Sequence, residues 1–144
     1  MGYGLPAAMG ASIAQEGQRR VVLISGDGSF QMNLQELATV AQYQIPMTIV
    51  LMNNGGHGMV RQWQDLFHGQ RRHGVALTNP DFVDLARVYG IPGMTARSLE
   101  AFQEALDFAE LTPGPVFLEV AIDPDEMVFP MVPGGKSLSD VIEG

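Results

Sequence analysis

The chain has 144 residues, 46% hydrophobic and 17% charged, with a formal net charge of −8 and no cysteine. That length suits one domain with its own core, and the composition excludes a disordered chain. The acidic balance argues against nonspecific binding to nucleic acid or an anionic membrane surface, while zero cysteines exclude disulfides and thiolate metal sites and fit a cytoplasmic protein.

No apolar run reaches the ~18 to 20 residues that span a bilayer. The opening MGYGLPAAMG lacks the basic region and apolar stretch of a signal peptide. Met1 reads instead as the middle of a longer chain.

In chain order, Leu5 to Ile13 predicts a closely packed helix with Pro6 in its first turn. Val21 to Ile24 is a short β-branched and aliphatic run, predicting a strand covered on both faces that ends in SGDGS. Leu34, Leu37, Ala38 and Ala41 recur at helical spacing within a predicted helix from Asn33 to Gln44. Met47 to Met52 is a second buried strand, with Pro46 at its entrance and NNGGHG at its end.

A helix from about Met59 to Phe67 follows, then an exposed loop in HGQRRHG. Asp81 to Tyr89 predicts a helix with Asn79 or Pro80 near its start and Gly90 at its end. Gly93 to Ala96 is a short strand, Leu99 to Leu111 a helix capped by Ser98, and Val116 to Ile122 a strong strand. The tail from Pro124 is rich in Pro and Gly. Alternating strands and helices predict a three-layer α/β/α fold with a mostly parallel sheet and right-handed crossovers.

Two strands end in unusual loops, Gly26, Asp27, Gly28 and Ser29 after the first, and Asn53, Asn54, Gly55 and Gly56 after the second. Ligands bind beyond the carboxyl ends of strands in open parallel sheets, and successive βα units bring both loops to that edge. A carboxylate, an amide and glycine backbone form an oxygen-only set. Hard oxygen ligands select Mg²⁺ or Ca²⁺, and Mg²⁺ completes its shell with phosphate and water, so the pattern points to a phosphorylated ligand. The N–H groups at the helix starts after Ser29 and Gly58 face its charge. Asp27 as a simple helix cap is the alternative reading of the first loop alone.

GYGLPA (Gly2 to Ala7) matches the dinucleotide pattern G-x-G-x-x-A ahead of a helix, but that pattern needs a preceding strand. GDGS lacks the Lys and Ser/Thr of a nucleotide-binding P-loop.

GDGSF at 26 to 30, with Asn54 in LMNN, resembles the GDG…NN motif of thiamine diphosphate enzymes. MGYGLPAAMGA (1 to 11), GDGSFQMNLQELATV (26 to 40), NNGGHGMVRQWQ (53 to 64), NPDFVDLA (79 to 86), GPVFLEV (114 to 120) and PMVPGGKSL (130 to 138) resemble successive blocks of acetolactate synthase catalytic subunits. The resemblance covers essentially the whole chain and implies the thiamine diphosphate-binding fold of that family's C-terminal quarter, as part of a longer subunit.

By that resemblance, Asp27, the Asn54 side chain and the Gly56 carbonyl bind Mg²⁺. Gly26, Gly28, Ser29, His57, Gly58 and Met59 belong to the diphosphate site, Met59 and Val60 lie beside the reactive centre, and the backbone of Met1 meets the pyrimidine ring. Trp63 lines the pocket for the second 2-ketoacid. Without the resemblance, Met59 and Trp63, four apart, read as core packing. Arg61, His68, Arg71, Arg72 and His73 read as a solvated face or as a means of ordering a loop over anions.

The resemblance also implies what lies elsewhere: an activating Glu on a pyrimidine-binding domain, so no catalytic residue here, and FAD on a middle domain rather than on this one. It implies a homo-oligomer and a regulatory subunit as partners. The reaction is decarboxylation of pyruvate and condensation with pyruvate or 2-oxobutyrate for branched-chain amino acid synthesis. Sulfoacetaldehyde acetyltransferase, glyoxylate carboligase or another 2-ketoacid decarboxylase are alternatives, as is a non-catalytic dimerising module with exposed apolar surface.

Overall fold

In the computed structural model, which describes residues 1–144, the strands β1 (Val21–Gly26), β2 (Met47–Asn53), β3 (Gly93–Ala96) and β4 (Val116–Ala121) form one parallel sheet. Their order is β1-β2-β4-β3. Helices cover both faces. On one lie α1 (Gly4–Ala14), α2 (Asp27–Phe30), α3 (Leu37–Gln42) and α5 (Phe82–Val88), whose Leu5, Met9, Phe30, Leu37, Val40 and Phe82 pack with Leu23, Met47, Ile49, Leu51 and Phe117 of the sheet. On the other, α6 (Leu99–Leu111) sets Ala105 and Ala109 against Val50, Val116 and Leu118. The expected three-layer α/β/α arrangement is the observed one.

Local chemistry explains the helix starts. The Asp81 carboxylate accepts the Asp84 N–H at 2.8 Å ahead of α5, and the Ser98 hydroxyl accepts the Ala101 N–H at 3.2 Å ahead of α6, each satisfying a donor with no intrahelical partner. At the amino-terminal edge of the sheet Arg20 donates to the Thr48 hydroxyl at 2.6 Å and to the carbonyls of Thr112 and Gly114 at 3.1 and 2.9 Å. It thus ties the first two strands to the turn before β4, and burial lowers its pKa from the usual arginine range.

Two expectations are corrected. The helix expected from Asn33 to Gln44 is a 3₁₀ turn at Leu34–Glu36 that becomes α-helical only over Leu37–Gln42. Leu37 and Val40 still face the core, so the apolar spacing held while the hydrogen-bond pattern tightened at the amino end. The strand Val21 to Ile24 is not covered on both faces. β1 is an edge strand whose Leu23 is buried under α1, while Val22 and Ile24 on its other face are 54% and 71% exposed. An aliphatic run shows that a strand prefers burial on both faces and says nothing of which segment covers it.

α1 carries the same signature. It is apolar all round, buries Leu5, Ala8 and Met9, and leaves Ile13 exposed, as is Tyr3 at its N-cap. A helix without a polar face is one that packs on both sides. No helix of the chain is long and apolar enough to cross a membrane.

Candidate functional site

The parallel register sets Gly26 of β1 beside Met52 of β2, and Asn53 beside Ala121 of β4, so three strands end on one edge. At that edge β1 turns directly into α2. Gly26 is the extended N-cap and Asp27 the first helical residue, so the helix starts ahead of Ser29 rather than after it. Phe30 holds the turn in place, its ring edge-on to Phe82 at 6.0 Å and Phe117 at 5.4 Å. Burying a side chain of that size contributes about 1.5 to 3 kcal/mol.

Asp27 is 1% exposed. Its Oδ1 accepts the Gly28 N–H at 2.8 Å and its Oδ2 accepts from Asn79 Nδ2 at 2.6 Å. The ion pairs of the chain involve Asp65, Asp84 and Asp125, and none reaches Asp27. A buried carboxylate with no cationic side chain beside it carries a large desolvation cost, which a bound cation would offset.

The segment ahead of α1 is stitched to this loop. The Gly2 N–H donates to the Ser29 hydroxyl at 3.0 Å, and Asn33 Nδ2 donates to the Gly2 carbonyl. Met1, next to the tied Gly2, lines the cavity.

The second loop is shaped by a short antiparallel ribbon. The His57 N–H donates to the Val75 carbonyl at 2.8 Å, and the Leu77 N–H to the Gly55 carbonyl at 2.9 Å. Asn54 Oδ1 accepts the Gly56 N–H at 3.1 Å. Close approach requires glycine at Gly56, where the neighbour is backbone, and at Gly28 it leaves room for a side-chain ring. A Cβ on Gly56 would lie 2.5 Å from the Val75 carbonyl oxygen, and one on Gly28 would lie 2.7 Å from the His57 ring. Beyond the loop, α4 (Gly58–Phe67) begins with His57 as its N-cap.

Between the two loops and α4 lies a cavity of about 370 Å³. It is lined by Met1, Gly26, Asp27, Gly28, Ser29, Asn54, Gly56, His57, Gly58, Met59 and Val60, which are all the residues that the resemblance assigns to the cofactor and the metal. Apolar walls with a few converging polar groups are the usual form of a small-molecule site. Met52, Gln62, Ile122, Glu126 and Val128 complete the wall and were not singled out from sequence.

Trp63 lies outside this cavity. Its ring packs on Phe67 with centroids 4.9 Å apart, and it lines a shallow groove with Val60, Gln64, His68 and Arg71. Val60 borders both, so the groove adjoins the cavity. The basic cluster is divided in the same way. His68 and Arg71 border the Trp63 groove, whereas Arg61, Arg72 and His73 line a separate hollow beside His57. Arg72 is paired with Asp65 at 2.8 Å and Asp125 at 3.2 Å, so part of this positive charge is neutralised within the chain.

The oxygen donors of Asp27, Asn54 and Gly56 share the cavity wall, and the chain has no group of three or more His, Cys, Asp or Glu side chains set to hold a metal by themselves. A divalent ion here needs further oxygens from a ligand and from water. That requirement suits Mg²⁺ with a phosphate group.

The family described as "Thiamine pyrophosphate enzyme, C-terminal TPP binding domain" matches residues 1–120. The chain belongs to this family. It is 49% identical over 144 residues to acetolactate synthase isozyme 2 large subunit of Escherichia coli K12, and 48% identical over the same length to an acetolactate synthase large subunit of Pyropia yezoensis. Each match covers 99% of this chain but only 26% and 24% of those proteins, so the chain spans about a quarter of their length. Among solved structures, a thiamine diphosphate-dependent 4-hydroxybenzoylformate decarboxylase of Rhodococcus jostii RHA1 superposes with a TM-score of 0.80 at 35% identity. That match covers 88% of this chain and 24% of the decarboxylase. The fold is therefore the thiamine pyrophosphate-binding fold, and each of these relatives extends well beyond the part that this chain matches.

Proposed function

We propose that the chain holds the diphosphate of thiamine diphosphate through Mg²⁺, as the C-terminal part of an acetolactate synthase. The carrying observation is the buried Asp27 carboxylate, without a cationic side chain, facing the same cavity as Asn54 and Gly56. Asp27, the Asn54 side-chain oxygen and the Gly56 carbonyl are the proposed ligands of the ion. Gly26, Gly28, Ser29, His57 and Gly58 line the anion's path, with Gly28 giving the backbone room to approach.

When bound, thiamine diphosphate supplies the carbanion chemistry. The contribution of this chain is positioning. The two loops fix the anionic end, Met59 and Val60 wall the apolar part of the cavity, and Trp63, across Val60, selects the second 2-ketoacid as it enters from the adjoining groove. The activating Glu is assigned to a pyrimidine-binding domain. The exposed Ile13 of α1, Tyr3 at its N-cap, and Val22 and Ile24 of β1 support burial against such a partner or a second subunit, so association is part of this reading too. FAD, a regulatory subunit and a cytoplasmic setting belong to the same proposal for the whole enzyme.

The assembled enzyme tests the reaction. It is expected to form acetolactate from pyruvate, with Trp63→Leu altering the preference between pyruvate and 2-oxobutyrate. Product from glyoxylate and none from pyruvate would favour glyoxylate carboligase instead.

A further inference from the structure

Asn79 stands between the Val75–Leu77 ribbon and α5, far in sequence from either loop. Its Nδ2 donates to Asp27 Oδ2 at 2.6 Å and to Asn53 Oδ1 at 2.8 Å, while its Oδ1 accepts from Gln31 Nε2 at 2.7 Å. Asn53 in turn donates from Nδ2 to Glu119 Oε1 at 2.6 Å. The two carboxylates fix the direction of every bond in this chain, because an ionised carboxylate only accepts. Neither Asn79 nor Asn53 can turn over its amide without facing oxygen to oxygen. Nor is Asn79 occupied in starting α5, since Asp81 supplies that cap.

We infer that Asn79 is a positioning residue for the metal carboxylate. It fixes the rotation of Asp27 and binds the end of β1 to the end of β2, and Gln31 fixes Asn79 from the far side. With Oδ1 held by the Gly28 N–H and Oδ2 by Asn79, the carboxylate keeps one orientation while each oxygen retains a free lone pair. The inference rests on the proposal that Asp27 binds a divalent ion.

Geometry predicts how its loss is felt. Mg²⁺ demands a near-ideal octahedron at short distances, whereas Ca²⁺ accepts varied distances and coordination numbers. A freely rotating Asp27 therefore penalises Mg²⁺ more than Ca²⁺. Losing an outer partner of a metal ligand typically costs about 10- to 100-fold in metal affinity.

The test is calorimetric titration of Mg²⁺, and separately of Ca²⁺, into the assembled enzyme with saturating thiamine diphosphate, for wild type, Asn79→Leu, Gln31→Leu and Asp27→Ala. Metal-free melting temperatures are recorded in parallel. Asn79→Leu is expected to weaken Mg²⁺ by on the order of 10- to 100-fold and Ca²⁺ by less, with Gln31→Leu shifting the ratio the same way to a smaller extent. If Asn79→Leu fails to fold, the Gln31→Leu ratio decides. Unchanged Mg²⁺ affinity, or equal weakening of both ions alongside a lower melting temperature, would overturn the positioning role. Failure of the underlying metal assignment is distinguishable: wild type would then bind cofactor equally without Mg²⁺, and Asp27→Ala would match it.

Discussion

Gln62 and Val128 are joined by two hydrogen bonds running in opposite directions. Gln62 Nε2 donates to the Val128 carbonyl at 2.9 Å, and the Val128 N–H donates to Gln62 Oε1 at 2.9 Å. The side chain thus pairs with the tail as a neighbouring strand would, from a buried position on α4. Through it the segment that carries Glu126 and Val128 becomes a wall of the cavity rather than a free extension.

Gln62→Leu is expected to release that wall. Two bonds at about 0.5 to 1.5 kcal/mol each set the expected loss of stability, read by denaturant unfolding. Hydrogen exchange at the Val128 amide should quicken in the same variant. Equal exchange in Gln62→Leu and wild type would show the clamp to be unimportant.

Gly28 and His57 cannot both keep their positions if the first gains a side chain. Gly28→Ala sets a methyl 2.7 Å from the imidazole, an overpacking expected to cost about 1 to 3 kcal/mol and to weaken cofactor binding. Adding His57→Ala removes the obstructing ring, so the double variant should regain stability over Gly28→Ala alone. Denaturant midpoints of the three variants check this, and additive losses would contradict it.

The Arg72 guanidinium donates to both carboxylate oxygens of Asp65, at 2.8 and 2.9 Å, and this bonding holds the Asp65 carboxyl below its usual range. A carboxyl lowered on folding contributes stability that is complete above the unfolded value of about 3.9 and is lost as pH falls through the folded one. Wild type and Arg72→Met should therefore differ in melting temperature at neutral pH, converge in acid, and differ less in high salt. A gap that persists unchanged below the carboxylate range would refute the ion pair as its source.

Much of this was legible in the sequence because it is local. The Met47 to Met52 run, the SGDGS and NNGGHG strand ends and the Ser98 cap depend on neighbours within a few residues, and each appears where the pattern puts it. That the two strand-end loops share one edge was legible too, since parallel topology brings successive strand ends together. What escaped depends on distant segments. The bare face of β1 is invisible in an aliphatic run. Asn79 meets Asp27 only because the chain doubles back through the Val75–Leu77 ribbon; the sequence put Asn79 or Pro80 near the start of α5, whereas the cap is Asp81 and leaves Asn79 free for Asp27. Gln62 reads as the polar side of a helix until the tail folds over it. Trp63, assigned by resemblance to the pocket of the second 2-ketoacid, lines a groove that adjoins the cavity at Val60.

Asp27 is proposed to anchor a Mg²⁺ ion that in turn holds the cofactor's diphosphate. Calorimetric titration of the assembled enzyme with thiamine diphosphate, with and without Mg²⁺, tests it directly against Asp27→Ala. Saturable binding that requires Mg²⁺ and is lost in Asp27→Ala is the predicted result, whereas binding that persists in the variant or is indifferent to Mg²⁺ would contradict it.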